Sequence, residues 1–493
     1  MITTLRIDER RPLHDVNPMI YGQFIEHFGR LIYGGIYDPG HPLSDEDGFR
    51  RDVIAALQKL RIPQIRWPGG CFVSAYHWKD GIGKNREPSF DKAWCVEESN
   101  AFGTDEFMLF CKKIGALPYL CTNAGTGTSE EMSDWVEYCN EPKKGRWAKR
   151  RIANGHEKPY GVEYWSIGNE NYTGGEIGAK TAQEWGPFVR ESAKMMRRVD
   201  ARIKILAAAV PDVDWNLSLL RSAGDLIDFI SIHGYFDEAW ETNALSGYRK
   251  SLQAVSKFEK SIIATRGILD ALGLSDRIKI AFDEWNLRGW YHPGISDFSH
   301  LDPDHDHAAS MRAINEINKQ YNMSDAIFAA AFLHTCMRHG DMVTMANFSP
   351  TVCGRGLIGV NDEGIILRPT YFVFDLLRNK LGSHLLDSYI VNNPVCDADG
   401  IQVSCIDAIA AHADDGSLTI SLINKDPEKE IPVSLDTTLS YRSAERHVLA
   451  SPSADSANDF DCPDCVCIHQ SAYTPGEPLS LPPHSVTILS LLP

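Results

Sequence analysis

Apolar and polar positions follow two different periods along this chain, and the change between them divides it. Up to about residue 380, short apolar runs with strand character alternate with stretches of helical spacing. The runs cover residues 19–24, 63–67, 117–122, 162–167, 203–208, 229–233, 278–282 and 342–347. Between them, Val53, Ala56, Leu57 and Leu60 share one helical face, and residues 104–114 and 181–199 read as helices. Thr128-Ser-Glu-Glu131 opens a further helix with a capping box. Strands alternating with helices predict a parallel sheet, and this repeat predicts an α/β fold, a (β/α)8 TIM barrel over residues 16–380. An open doubly wound sheet is the alternative, but it does not bring the fourth and seventh strands so naturally to one centre.

Beyond residue 380 the helical period disappears. Residues 401–406, 417–423, 430–435 and 485–491 read as strands separated by Asp, Gly, Asn and Pro turns. They predict a C-terminal antiparallel β-sandwich domain over residues 381–493. Residues 1–15, with Leu5 and Ile7 on one face, are expected to add a strand to it. Residues 451–478 are polar and aperiodic and are expected to form a surface loop.

The candidate chemistry sits at the strand ends. The runs finish at Glu26, Arg66, Asn123, Glu170, His233, Glu284 and Asn347, the pattern of a barrel whose active site occupies one rim. A carboxylate at the end of a buried strand costs desolvation energy unless it has partners or a task. Two such glutamates, in Gly168-Asn-Glu170-Asn and Asp283-Glu284-Trp-Asn286, are the minimum equipment of a retaining glycosidase. One must be protonated near neutral pH while the other stays ionised. Glu284 is the better nucleophile, because Arg66 can hold it negative, and Glu170 the better acid/base. Asn169 can bind a sugar hydroxyl, Tyr235 can donate to Glu284, and Trp94, Trp285 and Trp290 can pack on sugar faces. Taken singly, each has a plainer reading as a strand-end acid, a packing aromatic or a structural ion pair. Their convergence on one rim favours catalysis.

Composition narrows the partners. A net charge of -17 argues against nucleic acid and anionic membranes, which require a basic face, and fits a neutral substrate. The N-terminal stretch has no apolar run of signal-peptide length and no window approaches a membrane span, so a cytoplasmic protein is expected, with its twelve cysteines reduced. Cys462-Pro-Asp-Cys465-Val-Cys467 has metal-like or redox-like spacing. Only His469 could complete a ligand set, and surface thiols on a loop are expected. Asp302-Pro-Asp-His305-Asp-His307 has metal-ligand residue types but also suits a helix start, and no metal is expected there. Gly125-Thr-Gly127 lacks the Lys of a phosphate loop and reads as a turn.

These motifs resemble the α-L-arabinofuranosidases of glycoside hydrolase family 51, in the clan of 4/7 retaining barrels. The resemblance spans nearly the whole chain, through Ile20-Tyr-Gly-Gln-Phe-Ile-Glu26-His-Phe-Gly-Arg30, Arg66-Trp-Pro-Gly-Gly-Cys71, Asp80-Gly-Ile-Gly, Trp135-Val-Glu-Tyr-Cys-Asn140, Gly168-Asn-Glu170-Asn, Asp283-Glu284-Trp-Asn286 and Pro482-Pro-His-Ser-Val. It implies Glu170 as acid/base and Glu284 as nucleophile. Glu26, Arg66, Cys71, Asn169, His233 and Tyr235 match residues around the sugar of the first subsite, and Trp94 matches a loop aromatic near it. It also implies a barrel plus β-sandwich, no cofactor, a neutral oligosaccharide substrate and a homo-oligomer, often a hexamer. Two departures fall on the sugar pocket. Gly356 stands where the family has a sugar-binding Gln, and Arg288-Gly289 is inserted before Trp290. The expectation is a retaining exo-α-L-arabinofuranosidase. The rivals are a retaining glycosidase cutting another furanoside or acting inside a β-glucan or xylan, a non-catalytic sugar-binding protein, and a metal-dependent hydrolase using His305 and His307.

Overall fold

Asn17 and Pro18 decide how the barrel begins. In the computed structural model, which describes residues 2–237, 243–292 and 304–492, the Asn17 side chain accepts from the Met19 amide and Pro18 sets the first turn of a 3-10 helix, Pro18–Tyr21. The first strand is therefore shorter than its apolar run. Eight parallel strands then close a barrel: β1 (Gly22–Phe24), β2 (Gln64–Trp67), β3 (Leu117–Thr122), β4 (Tyr164–Ile167), β5 (Lys204–Ala208), β6 (Phe229–Asp237), β7 (Lys279–Arg288) and β8 (Val343–Phe348). Pairing of Asn347 with Gly22 and of Phe348 with Gln23 closes the ring. Tyr119, Leu206 and Ala281, from alternate strands, pack with Met19 and Met345 into a cluster separate from the main core.

β6 and β7 outrun their apolar patterns because polar residues at their ends find partners. Arg288, 3% exposed, bonds Asp237 at 2.8 Å and Asp325 at 2.9 Å. Asp325 lies in the first turn of the helix Met323–Arg338, most of whose residues are buried on every face. That helix joins the barrel to the C-terminal domain: His334 Nε2 lies 2.7 Å from Ser421 Oγ, and Arg338 donates to Asp407 at 2.7 Å. A helix enclosed on all sides must be apolar all round, which hides its period.

The C-terminal domain is a sheet of nine strands, antiparallel at every pairing but one. Thr3–Asp15 pairs antiparallel with His384–Val391 and parallel with Ile431–Thr437. At the centre, Leu418–Asn424 is buried at all seven positions. Within residues 451–478, expected as loop, Ile468–Tyr473 forms an edge strand on Ser443–Leu449. Its side chains are mostly exposed, so it carries no apolar alternation. The expectation of free surface thiols is corrected at Cys462 and Cys465. These two form a disulfide across a Cα–Cα distance of 5.5 Å, within normal bridging range. No helix among the described residues is long and apolar enough to cross a membrane.

Candidate active site

The site is assembled at the C-terminal rim by residues of β2, β6 and β7 and of the loop after β4. Arg66, at the end of β2, is fully buried. Its Nη1 donates to Glu284 Oε2 at 2.9 Å and its Nη2 to Asn169 Oδ1 at 2.9 Å, while Nε lies 3.5 Å from Asp283 Oδ2. One guanidinium fork thus ties β2 to the ends of β4 and β7, a geometry a lysine could not supply. Tyr235, on β6, donates to Glu284 Oε1 at 2.5 Å and lies 2.8 Å from Ser349 Oγ. Each oxygen of Glu284 therefore has a donor. His233, two residues earlier, places Nδ1 2.8 Å from Glu170 Oε1 and 3.5 Å from Glu284 Oε2. Oxygens of Glu170 and Glu284 lie within 4.8 Å of one another and of the His233 ring.

The loop after β4 needs its glycine. Gly168 has φ +73, and a Cβ there would stand 2.1 Å from Asn171 Oδ1 and 2.7 Å from the Trp185 ring. Glu170 itself has φ +46, a strained region for a non-glycine residue that the surrounding contacts must hold.

Burial and charge set the protonation of the pocket. Burial would lower the His233 imidazole, but Glu284, Asp283 and Glu170 outweigh it and push it up to about 10. Burial would raise Asp283 and Glu170. Arg66 and His233, with a hydrogen bond from Ser231, hold Asp283 well below the usual carboxylate range. The bond and charge of His233, with Arg66 and Tyr172, hold Glu170 below its ordinary value. Glu26, 3% exposed, goes the other way: burial and the charge of Glu284 push it up to about 8 against donors from Phe72 N and Trp94 Nε1. Two triplets bring metal-ligand atoms within 4.8 Å, Cys71 with Glu170 and Glu176, and Glu170 with His233 and Glu284. Both are poor donor sets at neutral pH, because burial pushes the Cys71 thiol up and His233 holds its proton.

Most residues expected from sequence meet here. Glu26 accepts from Trp94 Nε1 at 3.2 Å. Trp94 and Trp290, 5% and 8% exposed, each pack edge-on with the Phe28 ring, centroids 4.6 Å away. Asn169 Nδ2 is buried without an acceptor. Trp285 does not join them. It is fully buried and stacks on Phe332 at 4.1 Å, because alternation along β7 turns it to the helix layer when Glu284 faces inward. Asp304 caps the helix His305–Met311 by accepting from His307 N at 3.0 Å, as its residue type suggested, while Asp302 lies outside the described residues. Among the described residues, no cluster of metal-ligand atoms includes His305 or His307. The Gly125-Thr-Gly127 amides are taken by Asn123 Oδ1, consistent with a turn. Sequence reading missed Asp283 as the charge partner of Arg66 and His233, although it adjoins Glu284. It also missed Glu176, which has no motif around it and is drawn in only by folding.

The two departures have structural reasons. Arg288 is held by the buried acids described above. A Cβ on Gly356 would stand 2.7 Å from the Thr351 carbonyl, so this backbone accepts no side chain.

A parallel eight-stranded barrel carrying two close glutamates at the ends of its fourth and seventh strands defines the class of the glycoside hydrolases. Residues 56–253 match the model of the alpha-L-arabinofuranosidase 1 domain and residues 283–485 that of the alpha-L-arabinofuranosidase C-terminal domain. The chain is 34% identical to the intracellular exo-alpha-(1->5)-L-arabinofuranosidase 1 of Bacillus subtilis, over 92% of this chain and 91% of that one. It is 33% identical to alpha-L-arabinofuranosidase C of Emericella nidulans, over 88% and 86%. Among solved structures, the alpha-L-arabinofuranosidase of Thermotoga maritima in complex with arabinose superposes with a TM-score of 0.87 at 34% identity, covering 99% of this chain and all of that one. CelM2, a bifunctional glucanase-xylanase, shares the fold alone, with 14% identity and a TM-score of 0.61. The chain belongs to glycoside hydrolase family 51, the α-L-arabinofuranosidases.

The protonation of Glu26 makes stability depend on pH. An ordinary glutamate titrates near 4.5 and the buried one near 8, so between these values the folded state holds a proton that the unfolded chain has lost. Stability falls as pH rises through that window and levels off above it. Glu26→Gln removes the titration. Calorimetry at about pH 6 and about pH 9 should show a smaller loss of Tm in the variant than in the wild type, and equal losses contradict the assignment. For Gly356→Gln, overpacking against the Thr351 backbone should lower the unfolding free energy by about 1–3 kcal/mol, without improving KM. A stable variant with tighter substrate binding contradicts the steric account.

Proposed function

We propose that this protein is a retaining exo-α-L-arabinofuranosidase in which Glu284 is the nucleophile and Glu170 the acid/base. The observation that carries the reading is the approach of the two carboxylates to within 4.8 Å, with Arg66 and Tyr235 on Glu284 and His233 closest to Glu170. That suits direct attack on a sugar carbon; an inverting site, which must also hold a water, needs roughly 6.5–9.5 Å. Glu284 attacks the anomeric carbon as the carbon–oxygen bond to the leaving group breaks, and Glu170 gives its proton to the departing oxygen. His233 sits 2.8 Å behind that carboxyl with a proton of its own, so the pair shares the proton that the step consumes. Glu170, now a carboxylate, then takes a proton from the water that cleaves the glycosyl ester. Arg66 and Tyr235 hold the Glu284 oxygens and receive the charge as the ester breaks.

Glu26, Asn169 and Cys71 supply polar contacts to the sugar, while Trp94 and Trp290 wall it. The unpaired Asn169 Nδ2 supports this, since a buried donor without an acceptor is a place for a hydroxyl. The substrate is a neutral arabino-oligosaccharide, the protein is cytoplasmic and it assembles as a homo-oligomer. The word intracellular in the names of bacterial relatives supports the location. Residues 1–15 and 381–493 form the sheet domain and residues 16–380 the barrel, a division supported by the pairing of Thr3–Asp15.

Two measurements test the roles. NMR of the first-formed arabinose should show the anomeric configuration of the substrate; inverted product contradicts a double displacement. Glu170→Ala should lose about 10²–10⁴-fold in kcat/KM on substrates with poor leaving groups. Azide should restore turnover of 4-nitrophenyl α-L-arabinofuranoside and yield an arabinosyl azide. Uniform loss on all substrates without rescue contradicts the assignment.

A further inference from the structure

The mechanism above uses two glutamates, yet the pocket holds five carboxyl groups, Glu26, Glu170, Glu176, Asp283 and Glu284, against two cations, Arg66 and His233. Glu176 comes from the same loop as Glu170 and is 6% exposed. Ser74 Oγ, in the 3-10 turn Cys71–Ala75, donates to Glu176 Oε1 at 2.5 Å. The Cys71 thiol lies beside it: Cys71 Sγ, an oxygen of Glu170 and an oxygen of Glu176 lie within 4.8 Å of one another. A clamp joining that turn to the β4 loop would need only an acceptor at this point. A carboxylate beside the acid/base does more, because like charge disfavours ionisation of its neighbour.

We propose that Glu176 is a positioning residue for the acid step: when ionised, it biases the proton shared by His233 and Glu170 onto Glu170, where the leaving oxygen can take it. This inference rests on Glu170 being the acid/base. Atoms balance without another reactant. The Glu170 O–H bond breaks, its proton goes to the departing oxygen, and the electron pair of the cleaved carbon–oxygen bond stays on that oxygen. The groups acting on this corner are Cys71 and Ser74 from the turn, Glu170 and Tyr172 from the β4 loop, His233 and Tyr235 from β6, and Asp283 and Glu284 from β7. Glu26 and Arg66 complete the set. Within it burial pushes Glu176 up to about 7, against the Ser74 donor and the Cys71 thiol and with the charges of Glu170 and Glu284, so its charge changes near neutrality.

Glu176→Gln keeps the size of the side chain and an acceptor for Ser74 but removes the charge. The experiment compares kcat/KM against pH for an arabinobiose and for 4-nitrophenyl α-L-arabinofuranoside, whose leaving group needs little protonation. With arabinobiose, the alkaline limb should move down by about one pH unit, with activity near pH 8 about tenfold lower. With the aryl substrate it should change less than about twofold. Ser74→Ala, which leaves the carboxyl in place but removes a donor to its ionised form, should shift the arabinobiose profile in a graded way and spare the aryl substrate. Equal losses on both substrates with unmoved profiles would reduce Glu176 to a clamp and overturn the proposal, as would no change in either variant. If Glu170→Ala shows no azide rescue, the acid/base assignment itself has failed. Rescue together with a flat Glu176→Gln profile removes only the present inference.

Discussion

A guanidinium with no exposure to water organises this molecule. Arg66 bonds Glu284 and Asn169 and lies against Asp283, so the ends of β2, β4 and β7 cannot move independently. Taking such a charge out of water costs several kcal/mol per ion. That cost is offset only if the acids stay ionised and in place. Tyr119 and Ser231 add hydrogen bonds to Asp283, at 2.7 and 2.5 Å, so the inner carboxylate has donors from β3 and β6 as well. The barrel is closed around this buried salt network, and the catalytic reading follows from it. Glu284 is presented with both oxygens held, and Glu170 faces it across a gap wide enough for one sugar carbon.

The remaining carboxyls answer to a shortage of positive charge. Arg66 and His233 are the cations closest to five acids, and burial makes each further negative charge costly. Glu26 and Glu176 respond by keeping protons to about 8 and about 7. Glu170 goes the other way because His233 stands beside it. At neutral pH the pocket therefore holds protons on Glu26 and His233.

Much of this was legible in the chain. The strand–helix repeat is dense, and its apolar runs lie within a few residues of the eight barrel strands. Glu170 and Glu284 were visible because Gly-Asn-Glu-Asn and Asp-Glu-Trp-Asn each follow an apolar run. What stayed hidden shares one physical cause: dependence on partners distant in sequence. Met19–Tyr21 looked like strand because its side chains are buried, but Asn17 and Pro18 set a turn there. Trp285 looked like a sugar platform until the register of β7 turned it towards Phe332. Ile468–Tyr473 is strand only because Ser443–Leu449 lies beside it. Glu176 carries no signal at all in its own segment. Its environment comes from Ser74 and Cys71, on a turn beyond β2.

The central claim is that the sugar is passed to Glu284 before it reaches water. In Glu170→Ala the second step lacks its base, so a glycosyl enzyme formed from 4-nitrophenyl α-L-arabinofuranoside should accumulate. Acid quenching, peptide mapping and mass spectrometry should find one pentosyl group, esterified on the peptide that contains Glu284. An adduct on any other carboxyl, or turnover of the aryl substrate with no adduct at all, would contradict the account.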